Sequence, residues 1–180
     1  MKHNEVVDNI LARRSNRAFK EEPIDREDLE TIVTCGQWSP TGMNRQETCF
    51  VVLQGRDEIQ VLAELMGAAL GREDYDMYKP TALIIVGHQK DWHLSKEDDA
   101  CALQSMMLAA TSLALGSVWI NQMQHETADG SCNTCDEPSV RKKLDEYGLP
   151  SDYIIHGMLA IGHPAAPGKD HERKSEVIWV

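Results

Sequence analysis

Residues 95–116, SKEDDACALQSMMLAATSLALG, constrain the fold more than any other stretch of the chain. Acidic residues fill the opening turn, where the positive end of a helix dipole favours them, and the remainder is apolar on nearly every side. A helix of that kind has to be enclosed, either within its own domain or across a subunit interface. Gln104 and Ser105 interrupt it, and the apolar run is too short to span a bilayer comfortably. The rest of the chain must therefore supply the covering layers. With 180 residues, 42% of them apolar and 26% charged, it has the length and composition of one soluble domain, spanning 1–180.

The flanking periodicities supply those layers. NEVVDNILARR places Val6, Val7, Ile10 and Leu11 at the three-to-four spacing of an amphipathic helix that ends in arginines. PIDREDLETIVTCGQW offers Asp25 as an N-cap and repeats apolar residues at Leu29, Ile32 and Val33 before Pro40 and Gly42 break the pattern. TCFVVLQG reads as a strand, DEIQVLAELMGAAL as a helix, and KPTALIIVGHQ as a strand apolar on both faces and so central in its sheet. SVWINQ is a further short strand, DEPSVRKKLDEYG a surface helix, and DYIIHGMLAIGHP the last strand. This is one α/β domain without a linker or repeat. Its order is not that of a Rossmann unit, and no G-x-G-x-x-G follows any of the strands, so a nicotinamide nucleotide would not bind through that motif.

A net charge of -11 argues against general attraction to nucleic acid or anionic membrane. Any anion site must be local. The charged N-terminus lacks the apolar core of a secretion signal, which points to the cytoplasm. Against this acidic background, ARRSNRAF crowds Arg13, Arg14 and Arg17 around Ser15. A helix C-terminus welcomes one or two cations at roughly 0.3 to 1 kcal/mol each. Three guanidiniums in five positions repel one another unless acids such as Glu21 and Glu22, or a bound anion, sit among them. Phosphate is the anion that guanidinium forks fit best. A second basic run, GKDHERKS, carries Lys169, His171, Arg173 and Lys174. It is a solvated surface if it stands alone, and half of a phosphomonoester clamp if the tail folds back on the first helix.

Two other stretches carry chemistry. In SPTGMNRQ, Asn44 and Gln46 each present donors and acceptors of the kind that reading a flavin edge requires, although a plain turn uses the same residues. The five cysteines include one C-x-x-C pair, Cys132 and Cys135, suited to thiol redox or half a zinc site. His125 or His156 could complete such a site, but no spacing points to them.

Taken in order, these pieces resemble the flavin-dependent nitroreductase family. RRSNR at 13–17 is similar to its R-R-S-x-R motif, and SPTGMNRQET to its loop A-P-S-x-x-N-x-Q-P-W. GSVWIN and the HER at 171–173 match its later segments, so the likeness covers essentially the whole chain. The resemblance implies an α+β fold, an α-β-α sandwich with a central, mostly antiparallel sheet. It implies an intertwined homodimer with helix 95–116 at its core and FMN held at the subunit interface. Arg13, Arg14, Ser15, Arg17, His171 and Arg173 match phosphate or ribityl contacts. Pro40, Thr41 and Asn44 match residues that meet the flavin ring, usually from the partner chain, and Trp119, Ile120 and Asn121 match a segment lying along it. NADH or NADPH would serve as electron donor, with nitroaromatics or quinones as acceptors and no protein acid or base assigned. Glu47 and Thr48 replace the family's Pro-Trp, and His171 stands where a lysine is common. Two other readings stay open: a flavin-binding module without fast turnover, and a thiol-redox or metal protein using Cys132 and Cys135.

Overall fold

The computed structural model describes residues 1–123 and 134–180. Among these residues the α-helices and strands follow in the expected order: α1 (Glu5–Ala12), α2 (Arg26–Gln37), β1 (Cys49–Gln54), α3 (Arg56–Leu70), β2 (Ala82–Gln89), α4 (Ser95–Ser112), β3 (Gly116–Ile120), α5 (Pro138–Glu146) and β4 (Tyr153–Gly162). The strands form one sheet in the order β1-β2-β4-β3, with every pairing antiparallel. β2 lies inside the sheet, as its two apolar faces require.

Alternation along β2 divides the core. Leu83 and Ile85 point to one side, where Ile59, Leu62 and Met66 of α3 and Val140 and Leu144 of α5 cover them. Ala82, Ile84 and Val86 point to the other, against Leu29 and Ile32 of α2 and Leu103, Met106 and Ala110 of α4. The result is a helix-sheet-helix sandwich, with α4 enclosed between the sheet and α2. α1 rests on the outer face of α4, where the Asn9 side chain donates to the Leu108 carbonyl at 3.0 Å. It has no buried residue, and Val6, Ile10 and Leu11 of its apolar face stay open.

Local rules explain most boundaries. Asn4 caps α1 by accepting the Val7 N–H at 2.9 Å. Asp25 is the N-cap of α2 as its position suggests, yet its side chain makes no capping bond. α4 stops at Ser112 rather than running to 116, because Ala114 turns left-handed (φ 58°) and the Leu115 N–H bonds back to the Ala110 carbonyl at 2.9 Å. α4 is also not lined by apolar side chains alone, since Asp98 and Asp99 of its first turn are buried. Among the described residues no helix is long and apolar enough to cross a membrane.

Candidate functional site

The segment after α1 does not leave the domain. Ser15 bridges to Ser117 of β3 in parallel, and the Asn16 N–H donates to the Ser117 carbonyl at 2.9 Å. On the far side of this segment the chain beyond β4 returns. The Lys20 N–H donates to the His163 carbonyl at 2.8 Å, the Ala165 N–H to the Ala18 carbonyl at 2.9 Å, and the Asn16 side chain to the Ala166 carbonyl at 3.0 Å. The two ends of the sequence are thus stitched together by backbone bonds, and the two basic runs arrive on one cavity.

That cavity has a volume of about 520 Å³ and is lined by Arg13, Arg14, Ser15 and Arg17 from one end of the chain and by Gly168, Lys169, His171 and Arg173 from the other. Gly168 sits where a Cβ would lie 2.3 Å from the Cβ of Arg14, so only glycine lets the tail approach this closely. Arg14 is the best anchored of the cations. It donates to the carbonyls of Leu11 at 2.6 Å and Arg13 at 3.0 Å, and pairs with Asp170 at 2.9 Å. The His171 N–H and then the Arg14 guanidinium hold the Asp170 carboxyl below its usual range. Arg13, Arg17 and Lys169 make no ion pair among the described residues. Glu21, an acid near enough in sequence to have neutralised them, pairs instead with Arg56 at 3.0 Å. An acidic chain has here collected cations around an open volume without matching carboxylates, and this donor set suits a phosphate.

The loop between α2 and β1 forms a separate site. Thr41 and Gln46 of this loop, with Ser39, Thr48 and Asp98, line a second cavity of about 280 Å³ that shares no lining residue with the first. Within the loop the Gln46 N–H donates to the Thr41 hydroxyl at 3.2 Å and the Gln46 side chain to Oδ1 of the Asn44 side chain at 2.8 Å. Met43, Asn44 and Gln46 all have positive φ, between 53° and 56°, a region that non-glycine residues enter at a cost of about 1 kcal/mol or more each. Trp38 and Met43 are 85% and 87% exposed, which leaves two large apolar side chains beside this surface in the single chain.

The segment 119–121 lies apart from both cavities. Trp119 packs, half-buried, on the α2–α4 side of the sheet, and Ile120 is buried on the α3–α5 side. The side chain of Ile120 is therefore a core residue, leaving only its backbone to meet a ligand, because consecutive strand residues face opposite ways. Of the C-x-x-C pair, Cys132 lies outside the described residues, as does His125. Cys135 is buried, and burial pushes its thiol up to about 12, far from a reactive thiolate. His156, the other residue considered for a metal site, hydrogen-bonds to the Ser95 hydroxyl at 3.0 Å. Among the described residues no cluster could hold a metal ion.

Three residues that shape these sites were not singled out in the sequence. Gly168 had its position inside the basic run as a signal. Asp98 and Asp99 had none, because acids in the first turn of a helix are ordinary.

The comparisons with known proteins agree with this architecture. Residues 10–163 match the Nitroreductase family. The chain belongs to that family. A nitroreductase from Bacteroides fragilis, solved with bound FMN, is 30% identical, with 99% of each chain covered and a TM-score of 0.87. An FMN reductase of Bacillus subtilis that uses NAD(P)H is 24% identical over 90% of this chain and 67% of its own length. A Vibrio harveyi NADPH-flavin oxidoreductase is 25% identical over 89% and 66%, respectively.

Proposed function

We propose that this nitroreductase-family chain is an FMN-dependent oxidoreductase that draws electrons from NADH or NADPH and delivers them to small electron-poor acceptors such as nitroaromatics or quinones. The single observation that carries the reading is the cavity at which two sequence-distant basic runs meet with too few acids to neutralise them. FMN held there would supply the redox chemistry that links a nicotinamide donor to the acceptor. The protein's work is to bind and orient. Arg13, Arg14, Arg17 and Arg173, with Ser15 and His171, take the phosphate and ribityl chain. Pro40, Thr41 and Asn44 meet the ring from a partner subunit, and Trp119, Asn121 and the Ile120 backbone lie along it.

The working unit in this reading is a homodimer of one FMN-binding domain per chain, 1–180. Support comes from the open apolar residues of α1, from Trp38 and Met43, and from Val177, Ile178 and Trp179 of the tail, all solvent-facing in the single chain. A reducing compartment such as the cytoplasm suits Cys35, Cys49 and Cys101, which are free thiols.

The test is the visible spectrum of the purified protein, with any released chromophore identified by mass, followed by oxidation of NADH and of NADPH with a quinone. FMN at about one per chain and rapid quinone-dependent oxidation are expected. A colourless protein that takes up no added FMN overturns the reading. Bound FMN with negligible turnover leaves a flavin-binding module instead.

A further inference from the structure

Three left-handed non-glycine residues within four positions require something outside the loop to hold them. The holder is one carboxylate. Asp98, in the first turn of α4 and 4% exposed, accepts the Gly42 N–H on Oδ1 at 2.8 Å and the Trp92 indole N–H on Oδ2 at 2.8 Å, with His88 Nε2 at 3.6 Å from that same oxygen. The Arg45 guanidinium lies 4.4 Å from the centre of the Trp92 ring and pairs with Glu47 at 2.8 Å. Both halves of the loop are therefore tied to one acid, the first directly through Gly42 and the second through Trp92 and Arg45. Close approach is part of the arrangement. A Cβ on residue 42 would sit 2.6 Å from Leu94 Cδ1 and 2.8 Å from Trp92 Cζ2. In place of the Pro-Trp of the family motif, this chain has a glutamate that engages Arg45 and a threonine that donates to Asp99 at 3.2 Å.

We propose that Asp98 is the positioning residue of the 39–48 loop, fixing through Gly42 and Trp92 the surface that Pro40, Thr41 and Asn44 present to the flavin ring. This rests on the flavin reading above. Asp98 acts on the ring side alone, so its contribution is separable from that of the arginine cavity. Charge-assisted bonds from a backbone N–H and an indole N–H suit such a tie, being shorter and stronger than neutral ones. Asn at position 98 keeps the shape but meets one of the two donors with an amide N–H.

The experiment titrates FMN and riboflavin, which lacks the phosphate, into wild-type protein and the variants Asp98→Asn, Trp92→Phe and Arg13→Ala, with the flavin's visible absorption bands recorded on each complex. Asp98→Asn is expected to weaken both flavins by the same factor, about tenfold or more, and to shift the bands. Trp92→Phe removes one donor while keeping an aromatic ring for Arg45, and should move both readouts the same way by less. Arg13→Ala should weaken FMN far more than riboflavin. A folded Asp98→Asn protein with wild-type riboflavin affinity and spectrum overturns the proposal while leaving the flavin reading intact. Should Asp98→Asn not fold, Trp92→Phe decides, and an unaltered riboflavin affinity and spectrum in it overturns the proposal. Wild-type protein that binds neither flavin overturns the flavin reading and this proposal together.

Discussion

The arginine cavity and the 39–48 loop solve opposite electrostatic problems. The cavity gathers cations from the two ends of the chain around an open volume and leaves most of them without acids. The loop is held from beneath by two adjacent buried acids, Asp98 and Asp99, with the His88 ring nitrogen 3.6 Å from the Asp98 carboxylate. Excess charge around an open cavity is available to an incoming ligand, whereas the Asp98 carboxylate has a donor on each oxygen and acts through geometry. The cavity is thus built to receive an anion and the acids to hold a backbone shape. Changing a cation should alter binding, and changing an acid should alter stability and loop position.

Asp99 gives the largest expected effect. It is fully buried, its Oδ1 accepts the Thr48 hydroxyl at 3.2 Å, and its Oδ2 has no partner among the described residues. Burial pushes this carboxyl up to about 8 against the opposing pull of the Thr48 bond, with the Asp98 charge adding to the rise. The sign follows from linkage. Between about pH 4 and about 8 the folded protein keeps the Asp99 proton and the unfolded chain does not, so stability falls as pH rises through that window and levels off above it. Asp99→Asn cannot ionise and should lose this slope. Relative to wild type it should gain stability on the order of 5 kcal/mol by pH 9. Denaturant melts of both proteins from pH 5 to 9 check this. Parallel curves would mean that Asp99 ionises normally, and the contrast between the two regions would weaken.

This pair also marks where sequence reading stops. The arginines could be read because three like charges in five positions are repulsive, and repulsion in an acidic chain calls for a partner. β2 could be placed inside the sheet because apolar residues on both faces leave it no solvent side. Asp98 and Asp99 could not be read. An acid in a helix's first turn is explained by the dipole whether it faces water or core, and only the packing of Gly42, Trp92 and Thr48 against it separates the two cases. Ile120 lay beyond reach for a related reason. A motif gives a position in a segment, while the alternation of β3 decides which of its side chains can meet a ligand.

The cavity itself is tested by Arg14→Ala. This guanidinium fastens the end of α1 and engages Asp170 of the tail, so its removal takes away a cation and leaves an acid facing the phosphate site. FMN affinity should fall about tenfold to a hundredfold, the worth of a charge-assisted bond, with riboflavin affinity falling much less. Gly168→Ala should act in the same direction without altering any charge, because its Cβ would displace the tail from Arg14. Equal losses for FMN and riboflavin in these variants would show that the cavity serves the ring and would erase the division between the two regions.

Cys135 supplies the control, with the smallest effect. It lies in the core on the α3–α5 side of the sheet, 3% exposed, and belongs to neither region. A thiol held near 12 carries almost no thiolate at neutral pH and is a poor nucleophile, so its place in the molecule is a matter of packing. Cys135→Ala should cost about 1 kcal/mol of stability through the small void it leaves, with quinone-dependent NAD(P)H oxidation within about twofold of wild type. Thermal melting and steady-state rates on the same preparation separate the two effects. A folded variant that has lost its turnover would return the chemistry to the thiol and make the arginine cavity a feature of the helix end.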